Sequence, residues 1–250
     1  MSVKKDLAKI YDTNAKKYYE TRKKHWEEVK LILDEIKKTD INKISILEFG
    51  CGGGRFISEL NKTFPKNKIK YTGIDISKKL LEFAQKDNPK NKFIYGDISE
   101  KIKNFKQESF DFIIGTEAFQ HIENNKERFF LMKNFYRILK YNGKLIITNR
   151  SFSNWFIKKY HKNILNSISK YIISFGKKSR KDIYISRKNK TKGDLIRFYH
   201  IFGLKELDNL TRLSGFVIDK LCYLERNNKE SQKSKNSKTS ILIASKKIFK

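Results

Sequence analysis

The fold is decided by the stretch Ile46-Leu47-Glu48-Phe49-Gly50-Cys51-Gly52-Gly53-Gly54-Arg55-Phe56. The apolar run 44–49 predicts a buried strand, and residues 56–64 predict a helix that stops before Pro65. The glycines between them allow a sharp turn and a close approach of a ligand to the backbone. A strand, a glycine turn and a helix in this order are typical of a ligand-binding loop, although this glycine spacing alone is a weak signal.

Strands and helices alternate on both sides of that loop. Strands are predicted at 44–49, 70–76, 92–95, 110–115 and 144–148, and helices at 5–38, 56–64, 77–86 and 125–139. The first of these helices has a possible break at 12–14. Ser77 is a suitable N-cap because its hydroxyl can accept hydrogen bonds from free amides of the first turn. Such alternation implies right-handed crossovers and a doubly wound, mostly parallel α/β sheet.

The last hundred residues follow a different pattern. A helix is predicted at 204–214, and strands at 216–224 and 240–246 form a closing antiparallel hairpin around the Lys-rich loop 226–239. We therefore expect one domain over 1–250. Its parts are an N-terminal helical cap (1–40), a cofactor-binding core (44–150), a basic insertion of undetermined structure (151–200), and the closing helix and hairpin (201–250).

Three carboxylates follow the predicted strands. Glu48 precedes the glycines, Asp75 ends the second strand, and Asp97 ends the third. In a doubly wound sheet all three lie at the carboxyl ends of the strands, where ligands bind. Asp75 can accept hydrogen bonds from both hydroxyls of a ribose, Asp97 from an adenine amino group, and Glu48 can face a cationic group.

The spacing also separates two cofactor classes. A dinucleotide site uses Gly-x-Gly-x-x-Gly to hold a pyrophosphate, whereas this loop reads Gly50-x-Gly52-x-Gly54 with Glu48 ahead of it. That acid would repel a pyrophosphate but suits a sulfonium amino acid. The residues therefore favour S-adenosylmethionine over NAD.

These motifs together resemble those of class I S-adenosylmethionine-dependent methyltransferases. The matching segments are 48–54, Gly73-Ile74-Asp75-Ile76, Gly96-Asp97-Ile98 and Phe110-Asp111-Phe112-Ile113-Ile114. The resemblance covers about residues 44–150 and implies a Rossmann-like, seven-stranded sheet with a reversed last strand. The cofactor-binding residues that it implies are Glu48, Gly50, Cys51, Gly52, Gly54, Asp75, Ile76, Asp97, Ile98 and Thr116.

The flanks resemble a narrower family, the tRNA wobble-uridine carboxymethyl methyltransferases. Tyr11-Asp12 with Thr21-Arg22 and Trp26 is similar to its N-terminal signature, and 197–202 is similar to its Arg-Tyr-Tyr-His segment. The family's Asp-x-x-Val-Pro-Trp segment is not matched, since 182–187 lacks Pro and Trp. The resemblance implies esterification of a carboxymethyl group on the wobble uridine of tRNA, and a small zinc-binding activator in eukaryotic and archaeal relatives.

A carboxylate acceptor is ionised at neutral pH and needs orientation rather than a base. An Arg fork or a His donor can orient it. The candidate catalytic residues are Arg22, His121, Arg197, Tyr199 and His200. For each, a solvated or packing role is the alternative. The aromatic residues Phe152, Trp155, Phe156 and Tyr160 either stack on bases or, at their helical spacing, face the core.

The charge of +29, from 56 Lys and Arg against 27 Asp and Glu, suits a polyanionic partner such as tRNA. A biased composition explains it equally well, because only 10 of the 56 are Arg. The alternatives are therefore a small-molecule methyltransferase acting on a carboxylate, hydroxyl or ring carbon, and a non-catalytic RNA-binding subunit. Two cysteines and four scattered histidines predict no metal site. No apolar run nears the roughly 18 residues of a membrane span, and the first residues lack the apolar stretch of a secretion signal. Cys51 lies in the glycine loop and Cys222 in a predicted strand, so we expect a reducing, cytoplasmic setting.

Overall fold

The computed structural model describes residues 3–21, 27–65, 67–175, 179–187, 195–225 and 229–247. Its helices are α1 (Val3–Thr13), α2 (Ala15–Thr21), α3 (Glu27–Lys37), α4 (Arg55–Thr63), α5 (Lys78–Asp87), α6 (Ile98–Lys101), α7 (Asn125–Ile138), α8 (Asn154–Ile173) and α9 (Leu204–Leu213). Its strands are β1 (Ile44–Phe49), β2 (Ile69–Asp75), β3 (Lys92–Tyr95), β4 (Phe110–Thr116), β5 (Leu139–Arg150), β6 (Asp182–Arg187), β7 (Leu195–His200), β8 (Val217–Leu224), β9 (Glu230–Ser231) and β10 (Thr239–Ser245).

The predicted parallel core is confirmed. The first five strands lie in the order β3-β2-β1-β4-β5, and each neighbouring pair is parallel. β10 lies between β5 and β8 and is antiparallel to both, which is the reversed last strand that the resemblance implies. The chain therefore has a Rossmann-like, doubly wound α/β fold.

The number of strands is a correction. The described residues form an eight-stranded main sheet, not a seven-stranded one, because β9 adds an edge strand beside β8. β9 lies in the segment that the sequence predicts as a solvated Lys-rich loop. Its register pairs Ser231 with Tyr223 and Glu230 with Leu224, so only two residues of that segment extend the sheet.

One further boundary differs from the prediction. The fifth strand begins at Leu139, ahead of the predicted 144–148, and its register with β4 shifts before Lys144, close to Asn142, which has a φ of 61°. The break that the sequence allows at 12–14 is present, since α1 ends at Thr13 and α2 begins at Ala15.

The basic insertion has a structure of its own. It contains α8 and a second sheet, in which β6 and β7 pair antiparallel from Asp182 opposite His200 to Arg187 opposite Leu195. Phe156 of α8 packs with Ile183, Ile185 and Tyr199 in a separate apolar cluster. The insertion is therefore a small layer whose strand β7 contacts α1 and the short segment Phe119–His121 that follows β4.

The sheet buries both faces, as parallel sheets do. Consecutive residues of β1 point in opposite directions, so Ile46 packs on one face with Phe56 and Leu47 packs on the other with Phe135. The N-terminal helix α1 packs against β7 and α5 rather than on either face. That position brings the first helix of the chain to the carboxyl edge of the parallel strands.

Candidate active site

A cavity of about 600 Å³ opens at the carboxyl edge of the parallel strands. Nine of the ten predicted cofactor-binding residues line it, namely Glu48, Gly50, Cys51, Gly52, Asp75, Ile76, Asp97, Ile98 and Thr116. Gly54, the tenth, lies outside the wall at the start of α4, where its φ of 76° and a Cβ position 3.1 Å from Ala84 Cβ both favour glycine. Helix α1 contributes Lys4, Leu7 and Tyr11 to the lining.

The glycine turn has a geometry that only small residues allow. Gly50 has a φ of +70°, and a Cβ built on it would lie 2.5 Å from Ala118 Cβ. Its amide donates a hydrogen bond to Ile74 O at 2.8 Å, which ties the turn to β2. The main chain therefore lies directly along the cavity wall at this point.

Asp75 is held at the centre of the site by backbone amides. Its Oδ2 accepts a hydrogen bond from Gly52 N at 2.8 Å and its Oδ1 accepts one from Ser77 N at 2.8 Å. Burial raises the pKa of Asp75 to about 6, although these two amide hydrogen bonds oppose the shift. Each carboxylate oxygen retains lone pairs for further donors.

Glu48 is buried and has no ion-pair partner among the described residues. The hydroxyl of Tyr71 donates a hydrogen bond to its Oε2. Burial, with a smaller contribution from the nearby charge of Asp75, raises the pKa of Glu48 to about 8. A cationic ligand in the cavity would favour the ionised carboxylate and lower that pKa.

Asp97 is engaged by the first helix of the chain. It caps α6 by accepting a hydrogen bond from Ser99 N at 2.9 Å, and its Oδ2 lies 2.5 Å from Lys4 Nζ. Burial lowers the pKa of Lys4, but Asp97 and Glu127 together raise it overall. Sequence reasoning did not identify Lys4, because nothing local marks residue 4 as a partner of residue 97.

Arg197 also lines the cavity and is buried. Its Nη1 donates to Tyr18 Oη at 2.6 Å and its Nη2 donates to Tyr11 Oη at 2.5 Å. Its Nε is buried without a hydrogen-bond partner among the described residues. The guanidinium also lies 5.1 Å from the ring centroid of Tyr199, so the cation is surrounded by tyrosine rings.

His121 follows β4 and also lines the cavity. Its Nδ1 lies 2.6 Å from Phe198 O, which can only accept, so Nδ1 carries the proton. In the neutral ring Nε2 is then an acceptor, and it lies 3.4 Å from Tyr11 Oη. Arg197, Tyr11 and His121 thus form one connected polar wall.

The other candidate catalytic residues are placed differently. Tyr199 lies behind the wall, where its ring centroid is 4.8 Å from that of His121, and burial raises the pKa of its hydroxyl. His200 lies between two carboxylates, with Nδ1 2.5 Å from Asp182 Oδ1 and Nε2 2.7 Å from Glu206 Oε1. Neither residue lines the cavity. Arg22 lies outside the described residues.

Tyr18 is a wall residue that the sequence did not single out. It lies seven residues after Tyr11, a spacing that places two side chains on one side of a helical segment. That spacing was the available signal. It did not predict that a third residue, Arg197, would join the two hydroxyls from the other end of the chain.

Residues 47–147 match the family described as "Methyltransferase domain". About two fifths of the chain is therefore similar to a methyltransferase domain. The matched residues begin in β1 and end in β5, so the domain contains the glycine loop, Asp75, Asp97 and His121.

Three similar proteins extend the comparison. A malonyl-[acyl-carrier protein] O-methyltransferase of Bacillus cereus is 30% identical over 133 residues, 53% of this chain and 46% of that protein. The chain therefore spans about half the length of that relative. A protein of Encephalitozoon cuniculi named as a methyltransferase is 25% identical over 84% of this chain and 86% of its own. The structure of a Methanosarcina mazei methyltransferase shares the fold at 24% identity, with a TM-score of 0.64, over 86% of this chain and 98% of that one.

The cavity residues fit S-adenosylmethionine. Asp75 can accept hydrogen bonds from the ribose hydroxyls and Asp97 can accept one from the adenine amino group. The buried carboxylate of Glu48, which has no ion-pair partner among the described residues, suits a cation. The glycine backbone provides close contact. Within the described ranges, histidine, cysteine and carboxylate side chains form no group of three that could hold a metal ion. Helices long and apolar enough to cross a bilayer are likewise absent from those ranges.

Proposed function

We propose that this protein transfers a methyl group from S-adenosylmethionine to a carboxylate oxygen, and that the carboxylate is the 5-carboxymethyl group of the wobble uridine in tRNA. The observation that carries this proposal is the buried guanidinium of Arg197, which lines the same cavity as the carboxylates that suit the cofactor. A fixed cation on the acceptor side selects an anionic acceptor.

The reaction requires the protein mainly to position the acceptor oxygen relative to the methyl group. When bound, S-adenosylmethionine supplies a methyl group on a sulfonium, and the acceptor oxygen displaces the neutral thioether without any proton transfer. The acceptor carboxylate is ionised at neutral pH, so the wall needs to hold its oxygen in line at roughly 3 Å. Arg197 can hold one carboxylate oxygen while the other attacks.

Tyr11 and His121 complete the orientation of that wall. Tyr11 accepts from Arg197 Nη2 at 2.5 Å and lies 3.4 Å from the acceptor nitrogen of His121. The proton on Nδ1 of His121 is held by Phe198 O, and Nε2 faces the Tyr11 hydroxyl. The two residues therefore hold the Arg197 guanidinium in place, and the reaction requires no proton from either.

Two observations support tRNA as the carrier of the carboxylate. Arg197, a candidate catalytic residue in the segment 197–202 that is similar to the wobble-uridine family, lies in the cavity wall. The net charge of +29 favours a polyanionic substrate through phosphate contacts.

The second candidate is a small-molecule or carrier-bound acceptor. It is favoured by the identity to a malonyl-[acyl-carrier protein] O-methyltransferase, because a malonyl group also ends in a carboxylate. The same Arg197 wall would suit it. The two candidates differ in the molecule that carries the acceptor carboxylate, and the chemistry at the cavity is the same for both.

An activator subunit is part of the proposal for a eukaryotic or archaeal source. Among the described residues β3 pairs with β2 alone and lies at the edge of the main sheet. Tyr95 at its end is 57% exposed. An added strand of a small zinc-binding protein would find open backbone groups there. Tyr95→Lys should weaken co-purification with such a protein, and unchanged co-purification would exclude this edge.

The decisive experiment is nucleoside mass spectrometry. Purified protein is incubated with S-adenosylmethionine and tRNA that carries 5-carboxymethyluridine, and the same tRNA without the carboxymethyl group is the control. We expect a methyl ester on the modified tRNA alone, removable by mild alkali. A base-stable methyl group on both tRNAs would contradict carboxylate transfer. An ester on a malonyl thioester but not on tRNA would establish the second candidate.

A further inference from the structure

The start of α8 places an exposed indole beside the cavity. Trp155 is the second residue of α8, shortly after β5 ends at Arg150, and it is 51% exposed. The guanidinium carbon of Arg150 lies 6.0 Å from its ring centroid, and Lys159 Nζ lies 4.6 Å from it. Arg150 also pairs with Glu117 at 2.8 Å, and Glu117 lines the cavity. Trp155 is thus two contacts from the cavity wall.

Packing accounts for only part of this indole, whose ring meets that of Tyr160 edge-on at 6.5 Å between centroids. The next residue, Phe156, is 1% exposed and belongs to the apolar cluster of the insertion. The helical spacing of the four aromatic residues favours a core-facing stripe, and Phe156 follows that pattern. Trp155 instead keeps half of its surface in solvent, between two cations. That exposed ring is available to stack on the face of a ligand ring.

The charge on α8 itself is of one sign. Helix α8 carries four lysines and no acidic residue. Lys158, Lys159 and Lys162 are exposed and form no ion pair with a carboxylate of the described segments. A basic surface with an exposed aromatic ring is the arrangement by which proteins hold single-stranded nucleic acid, with phosphates on the lysines and a base on the ring.

We infer that Trp155, with Arg150 and Lys159 on either side, is a stacking platform for an unpaired base of an RNA substrate next to the nucleotide that enters the cavity. This inference deepens the proposed function and rests on an RNA acceptor. An unpaired anticodon-loop base offers its face to an aromatic ring, whereas a paired base does not. The lysines of α8 would then follow the phosphates leading away from the cavity.

The test measures RNA binding without cofactor and without methyl transfer. The chain has two tryptophans, so Trp26→Phe leaves Trp155 as the only indole. Titration with a ten-residue oligouridylate should quench its fluorescence to saturation, with an affinity that falls as salt is raised. In the otherwise unchanged protein, Trp155→Ala should weaken binding of a labelled oligouridylate about ten-fold.

A matched control exists at the other end of β5. Tyr141 is 50% exposed and has Lys246 Nζ 4.6 Å from its ring centroid, but it is far along the strand from Arg150. Tyr141→Ala should leave oligouridylate binding within about two-fold of the original, a change well below the loss expected of a stacking residue. Both variants should bind S-adenosylmethionine as before, which establishes that the cavity is intact.

Each outcome decides the inference. No quenching, or equal RNA affinity in Trp155→Ala and Tyr141→Ala, would overturn it. A shift of Trp155 emission with phosphatidylserine vesicles but no response to RNA would overturn it in favour of a lipid surface. Quenching by RNA together with a lower affinity of Trp155→Ala supports it. That result would stand even if the tRNA assay yields no methyl ester, so failure of the proposed function is a separate finding.

Discussion

Arg197 Nη2 donates a hydrogen bond to Tyr11 Oη at 2.5 Å, and the two residues are 186 positions apart in the sequence. The contact joins β7 to α1 at the carboxyl edge of the main sheet. Arg197, Tyr11 and Tyr18 on the acceptor side lie outside the matched methyltransferase domain, whereas His121 of the same wall lies inside it. The cofactor side, by contrast, is built inside that domain, so variants can affect the two sides separately.

Arg197→Lys is expected to reduce acceptor turnover and leave cofactor binding unchanged. Lysine keeps the charge but loses the planar fork that reaches both tyrosines and a carboxylate. We expect kcat/KM for the acceptor to fall about 100-fold, corresponding to roughly 3 kcal/mol of lost charge-assisted hydrogen bonding. Steady-state kinetics measure this loss, and calorimetry with S-adenosylhomocysteine checks the cofactor side.

Tyr11→Phe is the graded control for the same wall. It removes one hydroxyl that accepts from Arg197 and keeps the aromatic ring, so a loss of about 1 kcal/mol, or five-fold, is expected. If Arg197→Lys is fully active while Tyr11→Phe is impaired, the guanidinium is not what orients the acceptor.

Asp75→Ala is expected to weaken S-adenosylmethionine binding by about 2–3 kcal/mol, since two ribose hydrogen bonds are lost at about 1–1.5 kcal/mol each. It also removes the acceptor for Gly52 N and Ser77 N. Isothermal calorimetry measures the affinity. Asp111→Asn is the matched control, because Asp111 is a buried aspartate that accepts from Ser45 N at the amino end of the strands. Equal losses in both variants would place the ribose elsewhere.

The affinity for S-adenosylmethionine is expected to rise with pH up to about 8, where Glu48 titrates in the free protein. Burial raises the pKa of Glu48, so the group is protonated at neutral pH before the ligand binds. A bound cation favours the ionised form and expels that proton. Binding then releases protons below pH 8, and linkage makes affinity increase as pH rises.

Calorimetry between pH 6.5 and 8.5 measures this slope, and buffers of different ionisation enthalpy count the released proton. Glu48→Gln has no proton to lose, so its affinity should be nearly independent of pH over this range. A slope of the opposite sign in the unchanged protein, or the same slope in Glu48→Gln, would show that Glu48 does not face the cation.

The parts of the site predicted from the sequence are those encoded locally. β1 occupies the predicted residues 44–49 because its apolar run is continuous, and Ser77 caps α5 as expected, with its hydroxyl accepting from Leu80 N at 3.2 Å. The positions of Glu48 and Asp75 beside the glycine turn follow from two adjacent parallel strands. A strand pattern and a turn carry enough information for all of these.

The parts that were not predicted depend on contacts between distant segments. Lys4 forms an ion pair with Asp97, and two tyrosines accept hydrogen bonds from Arg197. Both sets of contacts depend on how the N-terminal helices pack near the ends of β3 and β7, and a hydrophobic pattern in the sequence does not predict that packing. The two-residue β9 is too short for any pattern to predict. Phe156 and Trp155 are neighbours with the same aromatic character, and only the packing of α8 separates the buried one from the exposed one.

The sequence predicts a catalytic role for His200, whereas its contacts in the structure indicate a role in stability. It is 2% exposed, and its two ring nitrogens contact Asp182 and Glu206. Although burial raises the pKa of Glu206, the hydrogen bond from His200 and the charge of Lys181 lower it overall, to about 2. We therefore expect His200 to hold β7 to α9 and to contribute to stability rather than to methyl transfer.

His200→Ala should lower the free energy of unfolding by on the order of 2–4 kcal/mol at pH 7, because it leaves two carboxylates without their shared partner. A pKa of Glu206 below its unfolded value gives stability that is present above about pH 4 and is lost as pH falls toward 2. The difference in the free energy of unfolding between the unchanged protein and His200→Ala should therefore become smaller as the pH falls.

Urea unfolding from pH 3 to 7 measures that difference, and His161→Ala, at an exposed position of α8, should show none. Cofactor affinity should be unchanged in the folded His200→Ala protein, because His200 does not line the cavity. Unchanged stability together with abolished methyl transfer would restore the catalytic role that the sequence predicts for His200.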